Sequence, residues 1–302
     1  MKIRLGTRGS ALARWQADWV AGELSRRGVE VELVPISTTG DRQQGPIGTL
    51  EGTGLFTKEI QRALCDGRID LAVHSLKDLP TEEVPGLCLA AVPQRAPVWD
   101  VLVSRDGLTF DQLPRGATLG TSSLRRQAQL RQARPDLQPQ EIRGNVDTRL
   151  RKLHEGQYEA LVLAQAGLTR LGLQAHITQV FAAAILLPAV GQGALGLETR
   201  SDDRPTRQAV EPLNDAESFQ GVIAERALLA ALRGGCLAPI AAWGRLESGR
   251  LVLTGRVLSA DGAEKREITL DGSPAEAAEL GRAVAQRLLE QGAGQLIAAA
   301  RG

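Results

Sequence analysis

Strand-like and helix-like segments alternate over the first two-thirds of the chain, and no other feature constrains the fold as strongly. Strands are predicted at residues 2–7, 29–36 and 70–74, and helices at residues 10–27 and 56–67. After Trp99 a second block repeats the alternation, with strands predicted at residues 101–104, 117–121, 141–143 and 159–164 and helices at residues 122–134 and 146–154. Strands that alternate with helices of this length indicate βαβ units and a mainly parallel sheet, with ligand sites at the carboxyl ends of the strands. Two such blocks predict an α/β fold of two lobes with a cleft between them.

The tail of the chain has a different pattern. A long helix is predicted at residues 214–233, and Gly234-Gly235-Cys236 follows it. Two strands at residues 251–258 and 264–270 are joined by Ala260-Asp261-Gly262, which is typical of a hairpin, and a closing helix comes after them. A chain of 302 residues has room for about two or three domains, so this tail is predicted to form a small α/β domain.

Composition excludes several classes of function. The 36 Lys and Arg residues are balanced by 35 Asp and Glu residues, which argues against nucleic-acid binding through overall basicity. Four Trp, four Phe and one Tyr are too few for the stacking platforms that bind single-stranded nucleic acid. No apolar run reaches the roughly 18 residues of a membrane span, and the three His and three Cys have no paired spacing that indicates a metal site. The N-terminal residues do not resemble a secretory signal, so a cytoplasmic protein without metal, membrane or nucleic-acid partners is expected.

Positive charge is concentrated in the second block. Residues 115–155 carry nine cations and four anions, an excess of five positive charges. A solvated helix face accounts for such an excess in many proteins, and this explanation is favoured for Arg131, Arg134, Arg151 and Lys152. The other arginines of the segment stand in more informative positions.

Two of these arginines lie at a predicted helix N-terminus. Thr121-Ser122-Ser123 joins a strand to a helix, where hydroxyl groups and free backbone N–H groups form a ready site for an anion. Arg125 and Arg126 lie on the first turn of that helix, where the helix dipole disfavours cations, so something anionic is expected to offset the cost. Arg143-Gly144-Asn145 repeats the arrangement at the next strand end, with Arg149 one turn further. Several guanidinium forks suit a polycarboxylate or phosphate ligand, with plain surface as the alternative.

The first block offers a comparable pair of strand ends. Thr7-Arg8-Gly9-Ser10 passes from a strand into a helix N-terminus, and His74-Ser75-Leu76-Lys77-Asp78 ends a buried strand. Side chains at such ends face the cleft in open α/β sheets. Asp78 could form a simple ion pair with Lys77, or it could stabilise a transient positive charge on a ligand. Lys77 could also form a Schiff base, but no feature of the sequence marks it as an activated amine.

The three cysteines differ in their surroundings. Cys88 lies in an apolar segment and is predicted to belong to the core, and Cys65 falls on the polar side of its predicted helix. Cys236 instead follows two glycines, which let a backbone approach a ligand closely. Cys236 could act as a nucleophile or as a covalent tether, and the lack of a neighbouring His in the sequence favours the tether.

Seven motifs together resemble the hydroxymethylbilane synthase (porphobilinogen deaminase) family. They occur in the family's order: TRGS (7–10), GLF (54–56), AVHSLKD (72–78), GTSSLRRQ (120–127), RGNV (143–146), LPAVGQGA (187–194) and GGC (234–236). Each motif alone is weak, but the ordered set is specific. One departure is Glu51-Gly52-Thr53, which lacks a lysine that the family often has, so no role for a lysine there is carried over.

The resemblance implies two lobes similar to the type II periplasmic binding proteins, a cleft between them, and a small C-terminal α/β domain. The chain then crosses between the lobes twice, near residues 97–101 and 188–195. The implied boundaries are residues 1–96 with 194–212 for lobe 1, residues 99–190 for an anion-binding lobe 2, and residues 215–302 for the C-terminal domain that carries the attachment cysteine. The strand and helix pattern alone does not indicate the second crossing.

The resemblance also implies a transferase of porphyrin and heme biosynthesis. The family joins four porphobilinogen units head to tail into hydroxymethylbilane with release of ammonia, and water finally cleaves the product from a retained dipyrromethane primer. A thioether links this cofactor to the loop cysteine, here Cys236, and Asp78 is the implied catalytic group that stabilises positive charge on pyrrole nitrogen. The implied cofactor- and substrate-binding residues are Arg8, Ser10, Ser75, Lys77, Thr121, Ser122, Ser123, Arg125, Arg126, Arg143, Gly144, Asn145, Arg149, Arg170 and Gln192. A monomer is expected.

Two other classes of protein stay open as alternatives. A non-catalytic two-lobed protein that binds a polycarboxylate or oxyanion would need the same cleft, but the cysteine loop on an added domain argues against it. A lysine-dependent enzyme would use Lys77 as its Schiff base, and borohydride trapping would detect it.

Overall fold

The structure of the protein is a computed structural model that describes residues 1–37, 57–233 and 238–301. The chain forms two compact units. The first unit comprises Met1–Ala96 and Ala194–Phe219, and the second comprises Pro97–Gly193 and Gln220–Gly302.

The helices and strands follow one another in this order. The first passage through the first unit contains β1 (Lys2–Thr7), α1 (Ala11–Ser25), β2 (Glu30–Pro35), α2 (Lys58–Cys65), β3 (Leu71–Ser75) and β4 (Leu87–Ala91). The second unit then contributes β5 (Asp100–Ser104), β6 (Thr118–Gly120), α3 (Leu124–Ala133), β7 (Gln138–Gln140), α4 (Val146–His154), β8 (Ala160–Ala164), α5 (Gln165–Arg170) and β9 (Gln179–Val180). The remaining elements are β10 (Leu195–Arg200), α6 (Arg204–Val210), α7 (Ala216–Leu232), β11 (Ile240–Glu247), β12 (Arg250–Leu258), β13 (Lys265–Gly272), α8 (Ala277–Glu290) and α9 (Ala293–Ala299).

Each unit contains a five-stranded mixed sheet, and the two sheets have the same topology. The strand order is β2-β1-β3-β10-β4 in the first unit and β7-β6-β8-β5-β9 in the second. Three strands of each sheet run parallel, and one antiparallel strand, β10 or β5, separates them from the last strand. This antiparallel strand is the first one after the chain has passed from one unit into the other. The predicted α/β fold with two lobes is confirmed.

The parallel strands place the predicted binding residues at one edge of each sheet, which we call the ligand edge. Because β1 and β3 run parallel, the residues that follow Thr7 and Ser75 leave the first sheet at the same edge. The residues that follow Gly120, Gln140 and Ala164 leave the second sheet in the same way. The carboxyl ends of parallel strands are where ligands bind in open α/β sheets.

The antiparallel strands begin at the ligand edge. Asp100, the first residue of β5, pairs with Ala164 at the end of β8. Leu195, the first residue of β10, pairs with Ser75 at the end of β3. Each passage of the chain between the units therefore enters its new sheet beside the predicted binding residues.

The tail forms a third sheet, which is antiparallel, in the order β11-β12-β13. The predicted hairpin of β12 and β13 is confirmed, and Leu228 of α7 and Val284 of α8 belong with Leu253 to the core beneath this sheet. β11 has no counterpart among the predicted strands, because Ala241 and Gly244 give it little strand propensity.

Two local predictions need correction. The strand predicted at residues 141–143 lies instead at Gln138–Gln140. Pro139 masks it in the sequence, and this proline is tolerated because β7 is at the edge of its sheet. Cys65 is exposed as predicted, whereas Cys88 is only partly buried instead of lying in the core.

Several sequence predictions concern parts of the chain that the structure does not describe. Residues 38–54 contain five glycines, a proline and few apolar residues, which predicts a functional loop. This segment and the attachment residue Cys236 with its two glycines lie outside the described residues. Within residues 1–37, 57–233 and 238–301, no helix is long and apolar enough to cross a membrane. The same ranges contain no group of three or more His, Cys, Asp or Glu side chains that could hold a metal ion.

Candidate active site

A buried carboxylate lies at the ligand edge of the second sheet. Asp100 is 0% exposed, and its Oδ2 accepts a hydrogen bond of 2.7 Å from Nη1 of Arg125. Its Oδ1 accepts hydrogen bonds from Nε and Nη2 of Arg126 at 2.9 and 2.7 Å and from Nε2 of Gln192 at 2.9 Å. The anion that the sequence predicts beside Arg125 and Arg126 is therefore a side chain of the protein itself, Asp100. We call these four residues the Asp100 cluster.

The charges of the Asp100 cluster do not cancel. Two guanidinium groups share one carboxylate, which leaves an excess of one positive charge in a buried environment. Burial alone would raise the pKa of Asp100, but Arg125 and Arg126 outweigh it and hold that pKa well below its usual range. Burial lowers the pKa of Arg125, and the charge of Asp100 opposes this effect. A further anion at the cluster would be attracted by the excess charge.

The two arginines of the cluster are not equivalent. Every side-chain nitrogen of Arg126 has an acceptor in the protein, since Nη1 donates to the carbonyl oxygen of Val162 at 2.8 Å and Nε and Nη2 donate to Asp100. Nη1 of Arg125 donates to Asp100 and to the carbonyl oxygen of Leu187 at 2.7 Å. The buried Nε of Arg125 has no acceptor among the described residues. Arg126 is therefore a support of the site, and Arg125 is the member with hydrogen-bonding capacity left.

The hydroxyl groups of the strand-to-helix turn after β6 form hydrogen bonds with backbone groups of the protein. Oγ of Ser123 caps α3 and accepts from the backbone N–H of Arg126 at 3.5 Å, which confirms that Arg126 lies on the first turn. Oγ of Ser122 donates to the carbonyl oxygen of Ile142 at 2.5 Å. Oγ1 of the buried Thr121 accepts from the backbone N–H of Ser123 at 3.3 Å. The turn is thus fastened to the chain that leaves the neighbouring strand β7.

The predicted Arg143-Gly144-Asn145 motif forms a tight turn before α4. Gly144 has a φ of +111°, and a Cβ there would lie 2.6 Å from Cγ2 of Thr148, so the turn requires glycine. Arg149 donates from Nε to the carbonyl oxygen of Gly144 at 2.8 Å. Arg143 donates from Nε to Oε1 of Glu141 at 2.7 Å. The turn therefore brings two half-buried guanidinium groups to the ligand edge.

Arg170 and Gln192 hold the segments by which the chain enters and leaves the second unit. Nη2 of Arg170 donates to the carbonyl oxygen of Gly193 at 2.7 Å, and burial lowers the pKa of Arg170 to about 10. Besides its bond to Asp100, Nε2 of Gln192 donates to the carbonyl oxygen of Val98 at 2.7 Å. The two connecting segments are therefore bound to each other and to the arginine pair.

In the first unit, an unpredicted side chain fixes the end of β3. Gln16 is buried on α1 and donates from Nε2 to Oγ of Ser75 at 2.8 Å, and Ser75 donates back to Oε1 of Gln16 at 3.2 Å. Ser10 caps the same helix by accepting a backbone N–H of its first turn. Next to Ser75, Nε2 of His74 lies 2.8 Å from Oε2 of the buried Glu198. The strand end that leads to Asp78 is therefore held by two polar contacts.

Lys77 and Asp78 lie directly beyond this strand end, in the short 3₁₀ helix Leu76–Asp78. Leu76 is buried, and its backbone N–H donates to the carbonyl oxygen of Ala194 at 3.0 Å. Lys77 and Asp78 are exposed, and the simple ion pair between them is not formed. Among the described residues, the Asp78 carboxylate has no hydrogen-bond or ion-pair partner, so it is available to a ligand.

The structure therefore divides the predicted site residues into groups. Arg125, Arg126 and Gln192 meet at Asp100, and the residues Thr121, Ser122, Ser123, Arg143, Gly144, Asn145 and Arg149 follow the neighbouring strand ends of the same sheet. In the first sheet Ser75 is the last residue of β3, and the strand ends are followed by Arg8, Ser10, Lys77 and Asp78. Sequence reasoning missed Asp100 and Gln16. The available signal for Asp100 is an acidic residue that opens an otherwise apolar, buried strand.

Comparison with known proteins decides the family. Residues 3–208 match the family described as "Porphobilinogen deaminase, dipyromethane cofactor binding domain", and residues 219–290 match "Porphobilinogen deaminase, C-terminal domain". The chain belongs to the porphobilinogen deaminase family. A porphobilinogen deaminase of Geobacter sulfurreducens is 47% identical over 300 residues, which are 98% of this chain and 94% of the relative. Porphobilinogen deaminases of Syntrophomonas wolfei and Desulforudis audaxviator are 46% and 49% identical, each over 99% of this chain and over 99% and 98% of their own lengths.

Membership of the porphobilinogen deaminase family assigns this chain to tetrapyrrole biosynthesis as an enzyme that acts on porphobilinogen with a dipyrromethane cofactor. It does not favour the alternative of a non-catalytic binding protein. Among solved structures, the methionine binding protein MetQ has a TM-score of 0.45 at 15% identity, over 76% of this chain and 93% of that chain. A similarity that low supports no conclusion about a ligand.

Proposed function

We propose that this chain joins four porphobilinogen units head to tail into hydroxymethylbilane. In each step the C–N bond of an aminomethyl group breaks and ammonia leaves, a C–C bond forms to the α-carbon of the preceding pyrrole, and that carbon loses its proton. Each unit adds an acetate and a propionate, so the product gathers negative charge as it grows. The buried excess of positive charge at the Asp100 cluster is the observation that carries the proposal, because guanidinium groups bind carboxylates in this way.

The residues of the second unit fit a dipyrromethane, whose acetate and propionate groups are anionic. Arg125 would hold one carboxylate, with Arg126 and Asp100 fixing its guanidinium group. Arg143 and Arg149 would hold another at the turn before α4. When bound, the dipyrromethane supplies the pyrrole carbon to which the first porphobilinogen unit is added.

The residues of the first unit suit the reaction itself. Asp78 would stabilise the positive charge that develops on the pyrrole nitrogen after ammonia has left, by accepting the pyrrole N–H. Its exposed carboxylate is not engaged by any described residue, and the buried Leu76 anchors its turn. Arg8, Ser10, Ser75 and Lys77 stand at the same edge and would bind the carboxylates of the incoming unit.

The attachment of the cofactor to Cys236 through a thioether is part of the proposal, and the intact mass of the native protein tests it. We expect the mass to exceed that of the bare chain by two linked pyrroles. In Cys236→Ser the added mass should be lost, because a serine hydroxyl does not replace the thiolate as nucleophile. Cys65→Ser is the matched control, since Cys65 is an exposed free cysteine, and it should keep the added mass. An intact primer on Cys236→Ser would refute the tether.

Arg125→Lys is expected to raise KM for porphobilinogen about tenfold, because lysine keeps a charge beside Asp100 but loses the planar fork that binds a carboxylate through two hydrogen bonds. Arg134→Lys is the control. Arg134 is the residue at the carboxyl end of α3, and its Nη2 lies 2.7 Å from Oδ2 of Asp136, so its counter-ion is Asp136 and not Asp100. The KM of Arg134→Lys should stay within about twofold of the wild-type value. Steady-state kinetics of both variants check the prediction, and equal changes in KM would show that Arg125 does not bind a carboxylate.

The implied domain boundaries, the monomeric state and the cytoplasmic location stay predictions of this proposal. Sedimentation velocity of the purified chain at several concentrations checks the monomeric state. A sedimentation coefficient that rises with concentration would contradict it.

A further inference from the structure

An arginine of the tail, Arg256, is buried near the end of β12 and has three different kinds of partner. Its side chain is 3% exposed and forms an ion pair with Glu267, the residue directly opposite on β13. Its Nη1 donates to Oε1 of Gln129 at 2.6 Å, and its Nη2 donates to the carbonyl oxygen of Ala183 at 3.1 Å. Burying a guanidinium group has a large desolvation cost, and an ordinary core would place an apolar residue there. The partners of Arg256 outside its own sheet, Gln129 and Ala183, indicate its role.

Gln129 continues the contact from Arg256 to the Asp100 cluster. It is 1% exposed and lies one helical turn after Arg125 on α3. Its Nε2 donates to the carbonyl oxygen of Leu187 at 3.1 Å, and its Oε1 accepts from the backbone N–H of Leu187 at 2.9 Å. Nη1 of Arg125 donates to that same Leu187 carbonyl and to Asp100. A continuous chain of hydrogen bonds therefore leads from β12 to the arginine pair.

The turn between β12 and β13 also contacts α3. Gly262 has a φ of +79°, and a Cβ there would lie 2.4 Å from the carbonyl oxygen of Ala128, so the turn approaches α3 as closely as a glycine permits. Nη1 of Arg131 donates to the carbonyl oxygen of Ala260 in this turn at 2.9 Å. The helix that carries Arg125 and Arg126 thus contacts the tail sheet through Ala128, Gln129 and Arg131, and Arg256 makes the buried charged contact.

We propose that Arg256 is a positioning residue, which sets the guanidinium group of Arg125 for carboxylate binding through Gln129 and Leu187. By sequence the attachment cysteine lies between α7 and β11, in the same domain as Arg256. The domain that holds the cofactor would therefore also fix the position of Arg125, which would bind a carboxylate of that cofactor. This inference rests on the proposed carboxylate-binding role of Arg125. It gives a reason for a charged side chain at a buried position of β12.

Steady-state kinetics of the full-length, primer-loaded protein test the proposal. Arg256→Met is expected to raise KM for porphobilinogen about tenfold with kcat changed less than about threefold, because a displaced guanidinium group loses one good hydrogen bond to the carboxylate. Arg250→Met is the matched control. Arg250 lies on the same strand and pairs with Asp271, but both side chains are more than half exposed, at 60% and 52%. The KM of Arg250→Met should therefore match that of the wild type.

A double substitution separates positioning from general stability. If Arg256 acts through Gln129, Arg256→Met combined with Gln129→Met should raise KM no more than the stronger single substitution does. Multiplied effects on KM, or a lowered melting temperature with an unchanged KM, would overturn the proposal. Should Arg256→Met not fold, Arg256→Lys is the deciding variant. Lysine keeps a charge beside Glu267, but its single nitrogen does not reproduce the guanidinium fork in which Nη1 and Nη2 bind Gln129 and Ala183 separately, so KM should still rise. If the wild-type protein does not consume porphobilinogen, the proposed function is contradicted. If the wild type is active and Arg256→Met has the same KM as the wild type, only this inference is contradicted.

Discussion

Asp78→Asn is expected to lower kcat for porphobilinogen consumption about 10³-fold while the protein keeps its fold and its primer. Asparagine has nearly the shape of aspartate but no negative charge, so it cannot stabilise a cationic pyrrole. The melting temperature should not change, because Asp78 is exposed and its carboxylate holds no other described residue. Ammonia release measured on the purified variant, with an intact mass to show the primer, checks both parts of the expectation.

Asp66→Asn is the control for this experiment. Asp66 is also an exposed aspartate of the first unit, and it lies 3.4 Å from Nε of Arg68, with both side chains 52% exposed. Its replacement should leave kcat within about twofold, because exposed ion pairs contribute little. If Asp78→Asn kept kcat within about tenfold of the wild type, Asp78 would not be the group that stabilises the developing charge.

Asp100→Asn is expected to lower the free energy of unfolding by about 3–5 kcal/mol, because it leaves two buried guanidinium groups without their counter-ion. Asp100 is 0% exposed and accepts four hydrogen bonds, three of them from Arg125 and Arg126. An asparagine could accept some of these bonds but could not balance either charge. Urea unfolding near neutral pH, followed by circular dichroism, measures the difference.

The effect of Asp100 should depend on pH in a defined direction. Its pKa in the folded protein is lowered below the value of about 3.9 that an unfolded chain would have. Its stabilisation is therefore complete above the unfolded pKa and is lost as the pH falls towards the lower, folded pKa. The stability difference between the wild type and Asp100→Asn should be constant from about pH 6 to 8 and should narrow below about pH 4.

Asp106→Asn controls for the loss of an aspartate in general. Asp106 pairs with Arg105 on the surface and is 57% exposed, so its replacement should change the free energy of unfolding by less than about 0.5 kcal/mol. A loss below about 1 kcal/mol in Asp100→Asn, or a difference that widens in acid, would contradict the structural role of the carboxylate.

Local patterns were enough to predict the lobes. The apolar runs LAVHS and ALVLA are typical of strands buried on both faces of a parallel sheet, and they are β3 and β8. Because parallel strands send their carboxyl ends to one edge, the predicted binding residues could be grouped before their contacts were known. Ser10 and Ser123 also cap the helices that their positions indicate.

What could not be predicted depends on partners that are distant in sequence. Asp100 bonds Arg126, 26 residues away, and Gln192, 92 residues away, so no local window contains the cluster. Arg256 meets Gln129 across 127 residues. The sequence indicates that cations at the start of α3 need an anion, but only the fold shows that this anion is a side chain and that it binds Arg126 through both Nε and Nη2.

The position of β10 has a consequence for the protein while it is being synthesised. This strand lies between β3 and β4 in the first sheet, although the whole second sheet, through Val180, precedes it in the chain. A ribosome therefore releases all strands of the second sheet before it releases the interior strand of the first. Until Leu195 and its neighbours emerge, β3 and β4 each have an unpaired edge, which is a template for pairing with other chains. The lobe that is translated first is thus the last to be completed, which reverses the usual amino-terminal-first order of folding during translation.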